Sequence, residues 1–186
     1  LIQNELKMLG VHWGDRTSKN GGIAHWHLLG VVPWDQEDNR LDKPFVGEPR
    51  VDISKPQTIG KRSLAWNSYT TDATRGKVDL AKILGDHANV AAYAYAEIRL
   101  PKAADLVLKI GTNDGYKCWF NGREAGRYDG GRSYSADHDS LPVHAVRGIN
   151  KILLKVTQMG GGWAFSVRLT DPAGAAVDLT DPRQTP

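Results

Sequence analysis

The chain has almost no cysteine: Cys118 is the single one among 186 residues. An internal disulfide is excluded, and so is any metal cluster built on paired thiolates. Long apolar runs are missing too, since no stretch approaches the roughly 18 residues that a membrane-spanning helix requires. Charge of one sign is also lacking. Lys and Arg number 24 against 21 Asp and Glu, a net charge of +3. The basic residues are dispersed among acids, and the densest group, Gly60-Lys61-Arg62, is too short to track a phosphate backbone, so nucleic acid is not expected as a partner. The small surplus leaves an anionic partner open. Catalytic signatures are absent: there is no Gly-x-Ser-x-Gly elbow, no His-Glu-x-x-His and no deaminase motif. The glycines 160–162 lack a following Lys-Ser/Thr and lie between strands, which removes a phosphate-cradling loop. With 21 acidic residues, some carboxylate pair always looks possible, so no glycosidase pairing is read from them.

What is present is alternation. Ile23 to Val32 is an apolar run bounded by Gly22 and Pro33 and reads as a strand. Trp34 to Pro56 is polar and contains proline, as a loop does. Ser63 to Trp66 is a short strand, and Val78 to Leu80 leads into a helical turn ending near Leu84. From Val90 to Leu100, Ala94, Ala96, Ile98 and Leu100 share one face, and Tyr93, Tyr95, Glu97 and Arg99 share the other. Alternation recurs in 106–110, 116–120, 152–156 and 163–169. Asn121-Gly122 is a hairpin signal, because a type I′ turn needs positive φ at both central residues. Arg123 to Tyr128 is the return strand. Asp171 to Gly174 is a turn, with Ala176 to Leu179 closing a last hairpin. Leu1 to Gly10 has a weak helical period.

Many short strands separated by turns, with little helix, predict an all-β fold: an antiparallel two-sheet jelly-roll β-sandwich, wrapped by the long region of residues 1–60. The simplest organisation is one domain over 1–186, with 1–22 and 181–186 as extensions or linkers. Opening on Leu1 without a signal-peptide pattern suggests a processed protein or a piece of a longer one.

From Ala91 onward, three stretches carry a resemblance. They are 91–98 leading to Ile110-Gly111-Thr112-Asn113-Asp114-Gly115, then Trp119-Phe120-Asn121-Gly122-Arg123-Glu124, and then 148–156 with 161–169. Together they cover about half the chain. They resemble the galactose-binding-like and PA14-like jelly-roll accessory domains of bacterial carbohydrate-active proteins. The resemblance implies a non-catalytic carbohydrate-binding module in a larger secreted protein. Its partners would be a polysaccharide, neutral or anionic, and neighbouring domains, and its compartment extracellular or periplasmic. The alternative is a structural or protein-interaction domain that positions a neighbouring catalytic domain. Some relatives bind calcium through an Asp-Asp pair at the turn that here reads Asn113-Asp114. No cofactor is required, and one structural calcium is possible.

Sugar recognition needs flat apolar platforms edged by polar groups. Trp34, Trp66 and Tyr69, in or beside loops, are the candidate platforms; their plain alternative is anchoring the long loops. Arg132, Tyr134 and His138 in the segment 132–139 are candidate partners for sugar hydroxyls. Asn113, Asp114, Asp137 and Asp139 are candidate oxygen ligands for calcium. Asp137 and Asp139 would project alike if that segment is extended. Trp163 and Cys118 fall on apolar strand faces and read as core. His25 and His27 share a face, with hydrogen-bonded side chains a simpler reading than zinc, which needs three or four ligands.

Overall fold

The computed structural model describes residues 20–34 and 40–177. In chain order the elements are β1 (His25–Pro33), β2 (Gln57–Ile59), β3 (Arg62–Leu64), β4 (Asn67–Thr70), β5 (Val78–Asp79), α1 (Leu80–Leu84), β6 (Val90–Leu100), β7 (Ala104–Thr112), β8 (Tyr116–Phe120), β9 (Arg123–Tyr128), β10 (Asp139–Ala145), β11 (Gly148–Gln158) and β12 (Ala164–Thr170). A six-stranded sheet runs β4-β1-β6-β11-β8-β9, a four-stranded sheet runs β10-β7-β12-β5, and β2-β3 form a separate ribbon. Every pairing among these strands is antiparallel. The fold is thus all-β, with the two larger sheets packed face to face. The ribbon β2-β3 and strand β10 were not legible in the sequence as such. Pro142 interrupts the β10 pattern, and β10 starts at Asp139, inside the segment that reads as loop.

Between the sheets lies the main core. Three of the inward residues of β6, Ala92, Ala94 and Ala96, are alanine, which leaves room for Trp26 and Trp163, both fully buried. Trp26 meets Phe165 edge-on at 5.1 Å between ring centroids, a favoured aromatic geometry. Cys118 is in the same core, and burial pushes its thiol up to about 12. At the β8-β9 hairpin, Phe120 pairs with Arg123, and Asn121 and Gly122 have φ of 49° and 77°. That is the type I′ turn the dipeptide predicts. Gly21 to Ile23 are pinned to β12: the Leu169 amide donates to the Gly21 carbonyl and the Ile23 amide to the Val167 carbonyl. Strand β1 is an inner strand of the six-stranded sheet, so residues 25–33 belong to the sandwich, and within the described part of 1–60 only the segment after Trp34 wraps it. A bridge from Thr170 to Ala176 begins the expected last hairpin. Its remaining residues, the helical period of 1–10 and the tail 181–186 lie outside the described residues.

The outer face of the six-stranded sheet is apolar as well. Leu29, Tyr93, Tyr95, Trp119 and Leu153 form a second cluster, covered by side chains from residues 45–66. Amid this cluster sits Lys155, with no exposed surface. Its Nζ donates to the Lys43 carbonyl at 2.7 Å and the Leu41 carbonyl at 3.4 Å, and lies 3.5 Å from Glu48 Oε1. It also lies 4.7 Å from the centre of the Phe45 ring. Glu48 in turn accepts from the Tyr93 hydroxyl at 2.6 Å and from the Phe45 and Val46 amides at 3.1 and 3.0 Å. One buried ion pair thereby staples residues 41–48 to the sheet.

Burial pulls the Lys155 ammonium down to about 8, against 10.5 in the open chain, although Glu48 pulls the other way. Below pH 8 both states hold the proton. Between that value and 10.5 only the unfolded chain does, so folding stability from this group rises with pH. The stability of the wild type minus that of Lys155→Met is expected to climb over this window, by at most about 1.4 kcal/mol per pH unit. Urea unfolding at stepped pH checks it; a flat difference would mean that the amine keeps its ordinary pKa.

Candidate functional site

At one end of the sandwich three connections meet: Thr112–Gly115, Gly130–Asp139 and Met159–Gly162. Asp114, with φ of 49°, is buried there. Its Oδ1 accepts from the Arg132 amide at 3.2 Å and its Oδ2 from the Met159 amide at 2.6 Å, so one carboxylate joins all three connections. Arg132 donates to Thr112 Oγ1 at 2.8 Å and to Asp139 Oδ2, and stacks 4.2 Å from the centre of the Tyr128 ring. Asp137 has φ of 59°, which breaks the extended geometry that would align it with Asp139. Its carboxylate instead faces Arg168 Nε at 2.9 and 3.1 Å, with Arg75 at 3.6 Å. The Tyr134 hydroxyl donates to Ser166 Oγ at 3.0 Å, and Lys77 Nζ lies 4.6 Å from its ring centre. His138 is exposed, and Asn113 lies beside Gly162. The segment 132–139 and the Asn113-Asp114 turn are therefore one neighbourhood, but the two Asp residues of the segment point to different arginines.

The three aromatic platforms do not converge. Trp34 is buried, with the Arg40 guanidinium 5.0 Å from its ring centre. Trp66 packs on the outer cluster, and Tyr69 packs on the main core, on the opposite face of the six-stranded sheet. The paired strand β1 shows the same division: Trp26, opposite Tyr69, is in the main core.

The outer sheet face offers a different feature. Leu153 lies directly opposite Tyr95 on β6 and opposite Trp119 on β8. This row of three apolar side chains floors a groove of about 320 Å³. Pro49, Arg50 and Val51 form one wall, where the covering segment leaves the sheet, and Lys151 with the Asn121-Gly122 turn forms the other side. Trp119 and Tyr95 are each 6% exposed, so they present limited surface to the groove. The Tyr95 hydroxyl donates to Glu97 Oε1 at 2.6 Å, and burial raises its pKa well above the usual phenol range. Asn121 is also engaged: its Nδ2 donates to Asn150 Oδ1 at 2.9 Å, and its Oδ1 accepts from the Lys151 amide at 2.8 Å.

Behind Trp119, Lys117 lies 5.3 Å from the ring centre and is paired with Asp42 at 2.6 Å and Glu124 at 3.3 Å. Arg127 closes this cluster, at 2.8 Å from Asp42 and 2.6 Å from Glu124. Hydrogen bonds from Lys117 hold Asp42, and from Arg127 hold Glu124, below the usual carboxylate range. Of the groove residues, the Tyr95 face was readable from alternation. Arg50 and Lys151 were not, because nothing local in the sequence shows where residues 49–51 cross the sheet.

The geometry defines a β-sandwich with a lateral groove and an internally bonded loop end. No protein-family profile matches the chain, and no curated protein matches it. Among solved structures, the PA14 domain of MpAFP antifreeze protein is similar at 18% identity and a TM-score of 0.38, covering 47% of this chain and 49% of that one. A PA14 sugar-binding domain from an RTX adhesin is similar at 18% identity and a TM-score of 0.35, covering 48% and 51% respectively. A beta-glucosidase from Kluyveromyces marxianus is similar at 8% identity and a TM-score of 0.49, covering 93% of this chain and 20% of that one. The chain spans about half the length of the PA14 domains it matches. Among the described residues no helix is long and apolar enough to cross a membrane.

Asp114→Ala would leave the Arg132 and Met159 amides without their acceptor. A stability loss of about 1–3 kcal/mol is expected in urea unfolding. Faster hydrogen exchange at residues 130–132 and 158–162 should accompany it; unchanged exchange there would show that the carboxylate does not hold the loops.

Proposed function

We propose that this chain is a non-catalytic carbohydrate-binding module of a larger secreted protein, acting outside the cytoplasm, and that its groove on the outer sheet face is where the sugar sits. The observation that carries this is the groove itself: a concave slot floored by Tyr95, Trp119 and Leu153, with polar groups at its rim. Small-ligand sites are commonly of this kind, apolar in lining with a few placed polar groups. The volume of about 320 Å³ is at the small end of such sites, a size suited to one or two sugar units rather than a long chain segment. In this reading Trp34, Trp66 and Tyr69 serve as anchors, and Arg132, Tyr134 and His138 do not touch the sugar. Affinity electrophoresis against a panel of soluble polysaccharides tests the proposal. Val51→Trp, which fills the groove, should abolish retardation while the protein stays folded. Trp34→Ala should leave retardation intact and cost about 3 kcal/mol of stability. No retardation on any polysaccharide would favour the interaction-domain alternative.

Calcium is not part of this reading. Asp114, Asp137 and Asp139 each already face a protein donor, and Asn113 supplies an amide where a second carboxylate would help. The melting temperature should be the same in excess chelator and in calcium at about a thousandfold its free-ion Kd for weak sites, a difference that would otherwise register as roughly 4 kcal/mol. A rise on adding calcium would restore an ion to the loop end.

A further inference from the structure

We infer that the groove selects a negatively charged sugar unit, whose carboxylate or sulfate is held between Arg50 and Lys151. The inference rests on the sugar-binding reading of the groove and specifies its ligand. The groove lining contains two cations and no Asp or Glu. Both cations are exposed, and neither makes an ion pair among the described residues. The Tyr95 and Asn121 side chains at the groove are already engaged. The Tyr95 hydroxyl gives its proton to Glu97, and the Asn121 amide is bonded on both its nitrogen and its oxygen. The charged side-chain donors left for a ligand are therefore the guanidinium of Arg50 and the ammonium of Lys151.

Electrostatics elsewhere on this face sharpen the contrast. Lys117, behind Trp119, is balanced by Asp42 and Glu124, and Lys155 by Glu48. Glu97 stands directly opposite Lys151 in register and is the acid that competes for it, but its Oε1 is turned to Tyr95. A planar guanidinium can grip a carboxylate or sulfate through two parallel hydrogen bonds, while the ammonium acts as a point charge beside it. An apolar floor under the same pair of cations suits the pyranose ring that carries the acid group.

Isothermal titration of the full chain would use three probes: polygalacturonate oligomers, their methyl-esterified counterparts, and a sulfated galactan oligomer. Wild type should bind polygalacturonate, the sulfated galactan or both, and esterification should weaken binding. Arg50→Gln and Lys151→Gln should each weaken the acidic ligand about ten- to a hundredfold. Lys82→Gln, on α1 next to the opposite sheet, should not. Dependence confined to polygalacturonate identifies the carboxylate as the recognised group, and dependence confined to the sulfated galactan identifies the sulfate. Equal binding of acid and ester, unaffected by Arg50→Gln and Lys151→Gln, would overturn the inference and leave the sugar-binding reading standing. An equal loss with Lys82→Gln would also overturn it, by showing bulk charge at work. No binding of any probe, together with no retardation across the polysaccharide panel, would overturn the sugar-binding reading itself.

Discussion

A lysine stripped of water on a sheet face sets the terms for the outer half of this molecule. Lys155 cannot reach solvent, so its three N–H donors need protein acceptors, and an isolated ammonium in such a place costs several kcal/mol. The Leu41 and Lys43 carbonyls and the Glu48 carboxylate provide them. All three belong to a segment with no regular structure of its own, so the lysine dictates where that segment lies. Glu48 is held in turn by the Tyr93 hydroxyl and by two amides of the same segment. The contact is therefore a closed network rather than a single pair, and removing either charge leaves the other buried alone.

This constraint also places the groove. Residues 41–48 are fixed over the Tyr93 end of the sheet, so the chain leaving them at Pro49–Val51 forms a step above Tyr95 and Leu153. Beyond that step β6 and β11 carry Glu97, Arg99 and Lys151, which are polar and partly or wholly exposed. An apolar floor ends against a charged rim at one line across the sheet, and a pocket at that line follows from where the cover stops. The Asn121-Gly122 turn bounds it because β8 ends there, with the Asn121 side chain locked onto the neighbouring strand.

Most of the sandwich was legible because its strands alternate and its turns carry turn chemistry. β6, β7, β8, β11 and β12 all fall where alternation places them, β9 is the return strand of the hairpin, and Asn121-Gly122 adopts the turn that the dipeptide favours. β10 was hidden by Pro142 and by an acidic, aromatic run that looks like loop. The groove was only half legible. The Tyr93-Tyr95 face of β6 was visible, yet a second apolar face could mean a partner, a ligand or a cover, and only the long-range bond from Lys155 to residue 43 decides for a cover. The surroundings of loop aromatics such as Trp34 and Trp66 are hidden for the same reason. Sequence does not show that Trp34 is buried beside Arg40 or that Trp66 packs on the outer cluster.

The division between the loop end and the groove is one of charge balance. At the loop end Arg132 meets Asp139, Arg168 meets Asp137, and Asp114 is occupied by two amides. A polar group satisfied in this way gives up its partner only by breaking a bond that holds a loop, so it is a poor donor to a transient ligand. In the groove the order is reversed: the Tyr95 hydroxyl and the Asn121 amide are satisfied, and the two cations make no ion pair among the described residues. A net charge of +3 over the whole chain says nothing of this, because the surplus is a small difference between large dispersed numbers. What matters for recognition is where the unmatched charges fall, and Arg50 and Lys151 fall beside the same apolar floor. Their desolvation by a ligand is offset only if the ligand supplies the opposite charge, which is why a neutral sugar would fill this groove without using its strongest donors.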